Sequence, residues 1–196
     1  MGGRVPVCTL KVFLDKEQAL PDGWWQISVT DNPDQAGALG YHELTSRGTP
    51  LGRVFAGLIY GAECRAVTLS LELLEMLADP WIDWCTQGTD GKIYALEVCD
   101  AVESDKLGYE IDGVLVSDFI SPAWVESTRA DRVDFKRRIA KPLERAAGGY
   151  ISVLDAAGGW TQVAARDEPS AAIPLGSRIQ TRNLGEAEWR RSQHRL

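Results

Sequence analysis

The sequence predicts an α+β fold in which an antiparallel or mixed sheet packs on one long buried helix. Short segments rich in β-branched and aromatic residues alternate with clusters of Gly, Pro, Asn and Asp, which is typical of strands joined by tight turns. Residues 64–78 instead combine a nearly continuous apolar surface with a few polar residues at helical spacing, which indicates a helix buried on most sides. The 196 residues, 44% hydrophobic and 25% charged, suffice for one domain with its own core.

The expected strands are short and are separated by turn signals. They are residues 7–14, 24–30, 38–44, 51–56, 92–99, 109–116 (a hairpin around Asp112-Gly113), 150–154 and 160–164.

Two helices are expected among these strands. The first, 64–78, ends at Asp79-Pro80, because the residue before a proline is pushed out of helical geometry. The second lies near 131–147, where Pro142 must kink or split it.

The charge distribution divides the chain into a domain, residues 1–176, and an extended basic C-terminal tail, residues 177–196. The net charge is −7, so no nucleic-acid partner is expected. The tail carries five arginines against two glutamates, a net +3, which leaves the domain at −10. Such a tail is either a solvated end or an arm that binds other protein chains of an assembly or copies of itself. Trp and Arg are enriched at binding hot spots, so the candidate interface residues are Trp189, Arg190, Arg191 and Arg195.

Two further features bear on where the protein works. No apolar stretch is long enough to cross a bilayer, and the start of the chain lacks the apolar core of a signal peptide. The four cysteines are scattered without a C-x-x-C pair, which argues against a four-cysteine zinc site and is typical of free thiols in a reducing compartment. We therefore expect no membrane association and no secretion by a signal peptide.

The polar residues of the first helix form one narrow stripe. Thr68, Glu72, Glu75 and Asp79 follow one another at intervals of four, three and four residues, which places them on one face. Because nearly all other positions are apolar, this stripe faces either solvent or a polar cavity.

Several short motifs are distributed along the chain. They are Ser70-Leu71-Glu72-Leu73-Leu74-Glu75, Asp79-Pro80, Glu97-Val98-Cys99-Asp100-Ala101-Val102-Glu103, Val116-Ser117-Asp118-Phe119-Ile120-Ser121-Pro122-Ala123-Trp124, Gly40-Tyr41-His42-Glu43-Leu44 and Gly148-Gly149-Tyr150. Together these motifs resemble a family of phage- and prophage-encoded zincin-like proteins of the H-E-x-x-E type, and the resemblance spans roughly residues 38–165.

The resemblance implies a zincin-like fold and a zinc site, from which this chain departs at one position. In the H-E-x-x-E arrangement a histidine at position 71 and Glu75 would bind zinc, and Glu72 would be the general base. This chain has Leu71, whose side chain has no lone pair to offer a metal. We therefore expect the zinc site to be lost, Glu72 to be vestigial, the chain to be no peptidase, and Leu71 to fill the former metal cavity.

If any metal binds, the candidate ligands are Glu75, Glu97, Asp100 and His42. His42 is the only histidine of the domain and lies in the strand before the helix, so it could approach Glu75. Glu97 and Asp100 lie downstream, where the third ligand of a zincin is found.

Glu97 and Asp100 also belong to a dense acidic segment, whose role the residues leave open. It continues with Glu103, Asp105, Glu110, Asp112 and Asp118. This segment could be a solvated surface, a site for calcium or magnesium, or a surface that meets the basic tail of a neighbouring copy.

The resemblance, together with Leu71, implies a catalytically degenerate zincin-like domain that acts as a structural or interaction component of a phage virion, in its head or tail. The expected location is accordingly the virion or the host cytoplasm. Two alternatives remain open: a metal-dependent peptidase with an unusual ligand set, and a binding or regulatory protein outside the virion.

Overall fold

The computed structural model describes residues 8–14, 18–35, 38–126, 132–154 and 159–164. The basic tail and its candidate interface residues Trp189, Arg190, Arg191 and Arg195 lie outside the described residues. Among the described residues, no helix is long and apolar enough to span a membrane.

The first sheet is mixed and has three strands. They are β1 (Gln26–Thr30), β2 (Gly40–Leu44) and β3 (Pro50–Phe55), in the order β1-β3-β2. β3 pairs parallel with β1 and antiparallel with β2, and His42 of β2 lies opposite Gly52 of β3. The expected β2–β3 hairpin is thereby confirmed.

The long helix, α1 (Ala62–Ala78), packs on this sheet. It begins two residues before the expected boundary and ends at the expected one. The carboxylate of Asp79 accepts hydrogen bonds from the backbone N–H groups of Asp83 (3.2 Å) and Trp84 (3.0 Å), so Asp79 shapes the turn that follows the helix.

The remaining strands form a four-stranded antiparallel sheet and a separate hairpin. The sheet contains β4 (Cys85–Gln87), β5 (Ile93–Ala95), β8 (Tyr150–Leu154) and β9 (Trp160–Ala164) in that order. The hairpin pairs β6 (Tyr109–Ile111) with β7 (Val114–Val116), and β7 also contacts α1.

The turn of this hairpin is the expected one. Asp112 and Gly113 both have positive φ, 50° and 80°, as a tight two-residue hairpin turn requires. The expected strand 92–99 is shorter than predicted, because the chain leaves the sheet after Ala95 and forms a short 3-10 helix at Asp100–Val102.

A hydrophobic core lies between the four-stranded sheet and the segment around Trp124. Trp124 is almost fully buried, and its indole N–H donates to the carbonyl of Glu144 at 2.7 Å. The buried residues of this cluster are Tyr94, Ala101, Val102, Ile120, Trp124, Val133, Ile139 and Ile151.

The expected second helix near 131–147 is wrong for the part of it that the structure describes, 132–147. This segment is a series of turns and bends with one isolated bridge between Asp134 and Ile120. Arg137 and Leu143 adopt positive φ, and Pro142 cannot donate a backbone hydrogen bond, so a continuous helix is excluded. The Asp134 carboxylate instead accepts the N–H groups of Arg138 and Ile139.

The expected first strand, 7–14, is also wrong over its described part. Residues 8–14 have no regular structure, and Leu10, Val12 and Leu14 are exposed. The alternating pattern resembles a strand, but no described strand pairs with it, and a strand without a partner gains no ladder hydrogen bonds.

Candidate metal centre

The candidate site lies where β2 crosses α1. Gly40, at the start of β2, permits this close approach, because a Cβ atom there would lie 2.8 Å from the Glu72 Oε1 atom and 2.8 Å from the carbonyl oxygen of Arg53. The polar stripe of α1 therefore faces the protein interior at Glu72 and Glu75, both of which are buried.

His42 extends from β2 towards these two carboxylates. Its Nδ1 atom lies 3.4 Å from Glu75 Oε2 and 3.6 Å from Glu72 Oε2. The imidazole is fully buried, at 0% exposure, and so are the two carboxylates, at 2% and 0%. One potential ligand atom from each of the three residues lies within 4.8 Å of the others, so the geometry suits a metal ion.

Glu97 lies on the other side of the imidazole. Its Oε2 atom is 3.9 Å from the Nε2 atom of His42, which is too long for a direct hydrogen bond. The two ring nitrogens of one histidine thus face carboxylates from different parts of the chain.

Asp100, the remaining candidate ligand, is buried at the start of the 3-10 helix, but it is not part of the three-residue ligand group. Of the acidic segment to which it belongs, Glu97, Asp100 and Asp118 are buried, whereas Asp105, Glu110 and Asp112 are exposed. The expectation of a solvated acidic surface therefore holds only for part of the segment.

The other polar residues of the helix stripe have separate roles. Thr68 donates a hydrogen bond to the Cys64 carbonyl one turn earlier (3.0 Å), and Asp79 holds the turn after α1. The stripe that looks uniform in the sequence therefore divides into two site residues and two residues that organise the backbone.

Two motif residues near the site, Ser70 and Cys99, connect α1 to the segments after β7 and after β5, respectively. The hydroxyl oxygen of Ser70 accepts the backbone N–H of Ser117 at 2.8 Å. Cys99 is fully buried, with its Sγ atom 3.9 Å from the Leu71 carbonyl oxygen. Burial first, and then the charge of Glu75, raises the pKa of the Cys99 thiol well above its usual value, which favours the neutral thiol in this setting.

Leu71 is buried, with only 5% of its surface exposed. It precedes Glu72 and stands one helical turn before Glu75, which is the position of the histidine in an H-E-x-x-E helix. Burial of an aliphatic side chain of this size favours folding by about 1.5–3 kcal/mol.

The chemistry of the group follows from its donors. One imidazole nitrogen and two carboxylate oxygens can bind a divalent cation. Without a metal, the imidazole and a carboxylate can instead hold one proton between them in a hydrogen-bonded pair. The sequence identified His42, Glu75 and Glu97 as candidate ligands but treated Glu72 only as a vestigial base. The three-residue spacing of Glu72 and Glu75 on one helix face was the available signal that both could bind the same ion.

Comparisons with protein-family models, with curated proteins and with solved structures gave no match.

Proposed function

We propose that the protein is a catalytically degenerate zincin-like domain, related to the phage- and prophage-encoded proteins that its motifs resemble, and that it acts as a structural or interaction component of a phage virion. In this proposal it cleaves no peptide bonds. The observation that carries the proposal is the buried Leu71, which occupies the helix position from which a zincin presents its first metal-binding histidine.

The position of Glu72 supports the same conclusion. A general base must reach a metal-bound water beside the substrate. Here the Glu72 side chain is buried, and Oε2 lies 3.6 Å from His42 Nδ1, where it acts as a neighbour of the imidazole. The residue that would activate water in a zincin is thus committed to the protein interior.

Exposed aromatic residues support an interaction role. Trp81 and Trp84, in the turn after α1, are 55% and 57% exposed. Large aromatic rings on a surface favour contact with another protein, because their burial removes a large apolar area from contact with water. They add a second candidate contact region to the one predicted for the basic tail.

Two measurements test this proposal. Mass spectrometry of purified phage particles should detect the protein at a defined copy number, and its absence would support a binding or regulatory role outside the virion. Peptide-library digestion by the purified, zinc-supplemented protein should show no cleavage above that of a Glu72→Gln variant. Cleavage that Glu72→Gln abolishes would overturn the non-catalytic assignment.

One observation favours a second function, a metal-dependent peptidase with an unusual ligand set. His42 lies beside Glu72 and Glu75, where it could replace the missing histidine as a nitrogen ligand. The same digestion separates the two functions when it includes His42→Gln. A peptidase loses its activity in this variant, whereas a non-catalytic protein has no activity to lose.

A further inference from the structure

We infer that His42, Glu72 and Glu75 form a divalent metal site with a ligand set different from that of an H-E-x-x-E helix. In this site His42 Nδ1 replaces the nitrogen lost at position 71, and Glu72 is a ligand. The inference goes beyond the proposed function, because a structural or interaction protein can exist with or without a bound metal.

The distances between the donor atoms agree with this assignment. Nitrogen and carboxylate oxygen ligands about 2.0–2.2 Å from a zinc ion lie about 3.3–3.6 Å apart along the edges of a tetrahedron. The Nδ1 atom of His42 is 3.4 Å from Glu75 Oε2 and 3.6 Å from Glu72 Oε2, so two such edges are already in place. A water molecule or a second carboxylate oxygen could complete the coordination.

Glu97 lies where a residue that orients the metal-bound imidazole of His42 is expected. Metal-bound histidines usually present their second ring nitrogen to a carboxylate or carbonyl, which fixes the tautomer and strengthens the donor. With Nδ1 facing the metal position, the Nε2–H of His42 faces Glu97 Oε2 at 3.9 Å. A small movement of either side chain would make this a hydrogen bond.

The donor set selects the class of cation. Calcium and magnesium prefer sites made of oxygen ligands alone, whereas an imidazole nitrogen favours first-row transition metals. With one nitrogen and two carboxylate oxygens, Zn²⁺ and Mn²⁺ are the appropriate probes. Calcium and magnesium should bind much more weakly.

This geometry also makes the site structural. β2 supplies His42 and α1 supplies the two glutamates, so a bound ion would join the sheet to the helix. Metal-binding free energy contributes to folding stability when the site exists only in the folded state.

The test is metal binding by the full-length protein. Chelator-treated protein is titrated with ZnCl2 or MnCl2 by calorimetry, and bound metal is counted by elemental mass spectrometry after dialysis. We expect one ion per chain and a metal-dependent rise in melting temperature. X-ray absorption of the zinc-loaded protein should show one imidazole and the remainder oxygen ligands.

Variants assign the ligands. His42→Gln and Glu75→Gln should each weaken zinc binding by at least about 100-fold, and Glu97→Gln by about 10–100-fold, the range typical of second-sphere partners. Glu110→Gln, at an exposed glutamate outside the site, is the matched control and should bind like the unmodified chain. Circular dichroism verifies that each variant is folded.

The inference is overturned if the folded protein takes up no stoichiometric zinc or manganese, which would leave a proton-bridged His–Glu cluster. It is also overturned if folded His42→Gln binds zinc as tightly as the unmodified chain. If His42→Gln fails to fold, two other measurements decide whether His42 binds the metal. The inference is then overturned if X-ray absorption of the zinc-loaded protein shows no imidazole ligand, or if Glu97→Gln binds zinc as tightly as the unmodified chain. Peptide cleavage by the zinc-loaded protein would contradict the proposed function and leave the metal site standing, so the two can fail separately.

Discussion

Positions 42 and 71 govern the chemistry of the site at the scale of single residues. Leu71 provides an aliphatic side chain where a zincin-like helix needs a metal ligand, and His42 provides an imidazole from the neighbouring strand. Both residues are buried, so a change at either one alters the packing as well as the available donors.

Replacing Leu71 tests whether position 71, where an H-E-x-x-E helix has its histidine, faces the carboxylates. We expect Leu71→His to increase zinc affinity at least tenfold, because position 71 stands one helical turn before Glu75 and adds a nitrogen donor. Leu71→Gln, of similar polarity but without an imidazole, is the control and should not show this gain. Calorimetric titration of both variants provides the measurement, and equal affinities would show that position 71 does not face the site.

Asp118 and Asp134 form a second buried carboxylate pair, which should make stability depend on pH. Burial, together with the neighbouring Asp134 carboxyl group, raises the pKa of Asp118 from 3.8 to about 6, although the backbone N–H groups of Phe119 and Lys136 act to lower it. Between these two values the folded state binds more protons than the unfolded state. Its free energy of unfolding should therefore fall as pH rises from about 4 through about 6, by on the order of 2 kcal/mol.

The Asp118→Asn variant isolates this effect. Asparagine keeps the Oδ1 acceptor that serves Phe119 and Lys136 but cannot ionise. Urea unfolding between pH 4 and pH 7 should show a smaller loss of stability in Asp118→Asn than in Asp112→Asn, whose exposed side chain is the control. Identical pH profiles for the two variants would mean that Asp118 does not carry the dependence.

The crossing of β2 over α1 is the decisive feature at the scale of secondary-structure elements. The strand carries His42 and the helix carries Glu72 and Glu75, and neither element alone brings an imidazole to a carboxylate. The close approach at Gly40 brings them together, because the space that a side chain would occupy is taken by Glu72 and by the backbone of Arg53.

A methyl group at Gly40 should therefore disturb the crossing. The added Cβ of Gly40→Ala would lie 2.8 Å from the Arg53 carbonyl oxygen, a backbone atom that cannot easily move. We expect a loss of about 1–3 kcal/mol in the free energy of unfolding, together with weaker zinc binding. Ser46→Ala, in the exposed turn between β2 and β3, should change neither quantity in urea unfolding or calorimetry. An unchanged stability in Gly40→Ala would indicate that the strand can shift without cost.

The separation of charge is the main feature at the scale of the whole molecule. Residues 1–176 carry a net charge of −10, and residues 177–196 carry a net charge of +3. Of the acidic segment that could meet such a tail, only the exposed members, including Asp105, Glu110 and Asp112, are available at the surface.

Removal of residues 177–196 tests contact between copies. If the tail of one chain binds the acidic surface of another, the chain ending at residue 176 should self-associate more weakly than the full chain in analytical ultracentrifugation at low salt. The difference should disappear at high salt, because exposed charges are screened. Equal association of both chains would show that the tail does not mediate it.

The sequence by itself predicted the long helix, its end at Asp79, the β2–β3 and β6–β7 hairpins and the final two strands. These features depend on local patterns, namely apolar periodicity, turn residues and the geometry around proline. The second helix was predicted wrongly for a related reason. An amphipathic pattern over 132–147 does not reveal that the Asp134 carboxylate accepts hydrogen bonds from the backbone N–H groups of Arg138 and Ile139. These bonds replace the hydrogen bonds that a helix would make.

Only the tertiary structure decided that the acidic stripe of α1 faces inward and that His42 lies within 3.6 Å of Glu72 and 3.4 Å of Glu75. In the sequence, His42 lies thirty residues before Glu72. No local pattern determines the register of β2 or which face of α1 this strand crosses. The physical reason is that such convergence depends on long-range packing, here on the absence of a side chain at Gly40, and no local pattern encodes the distance between two elements.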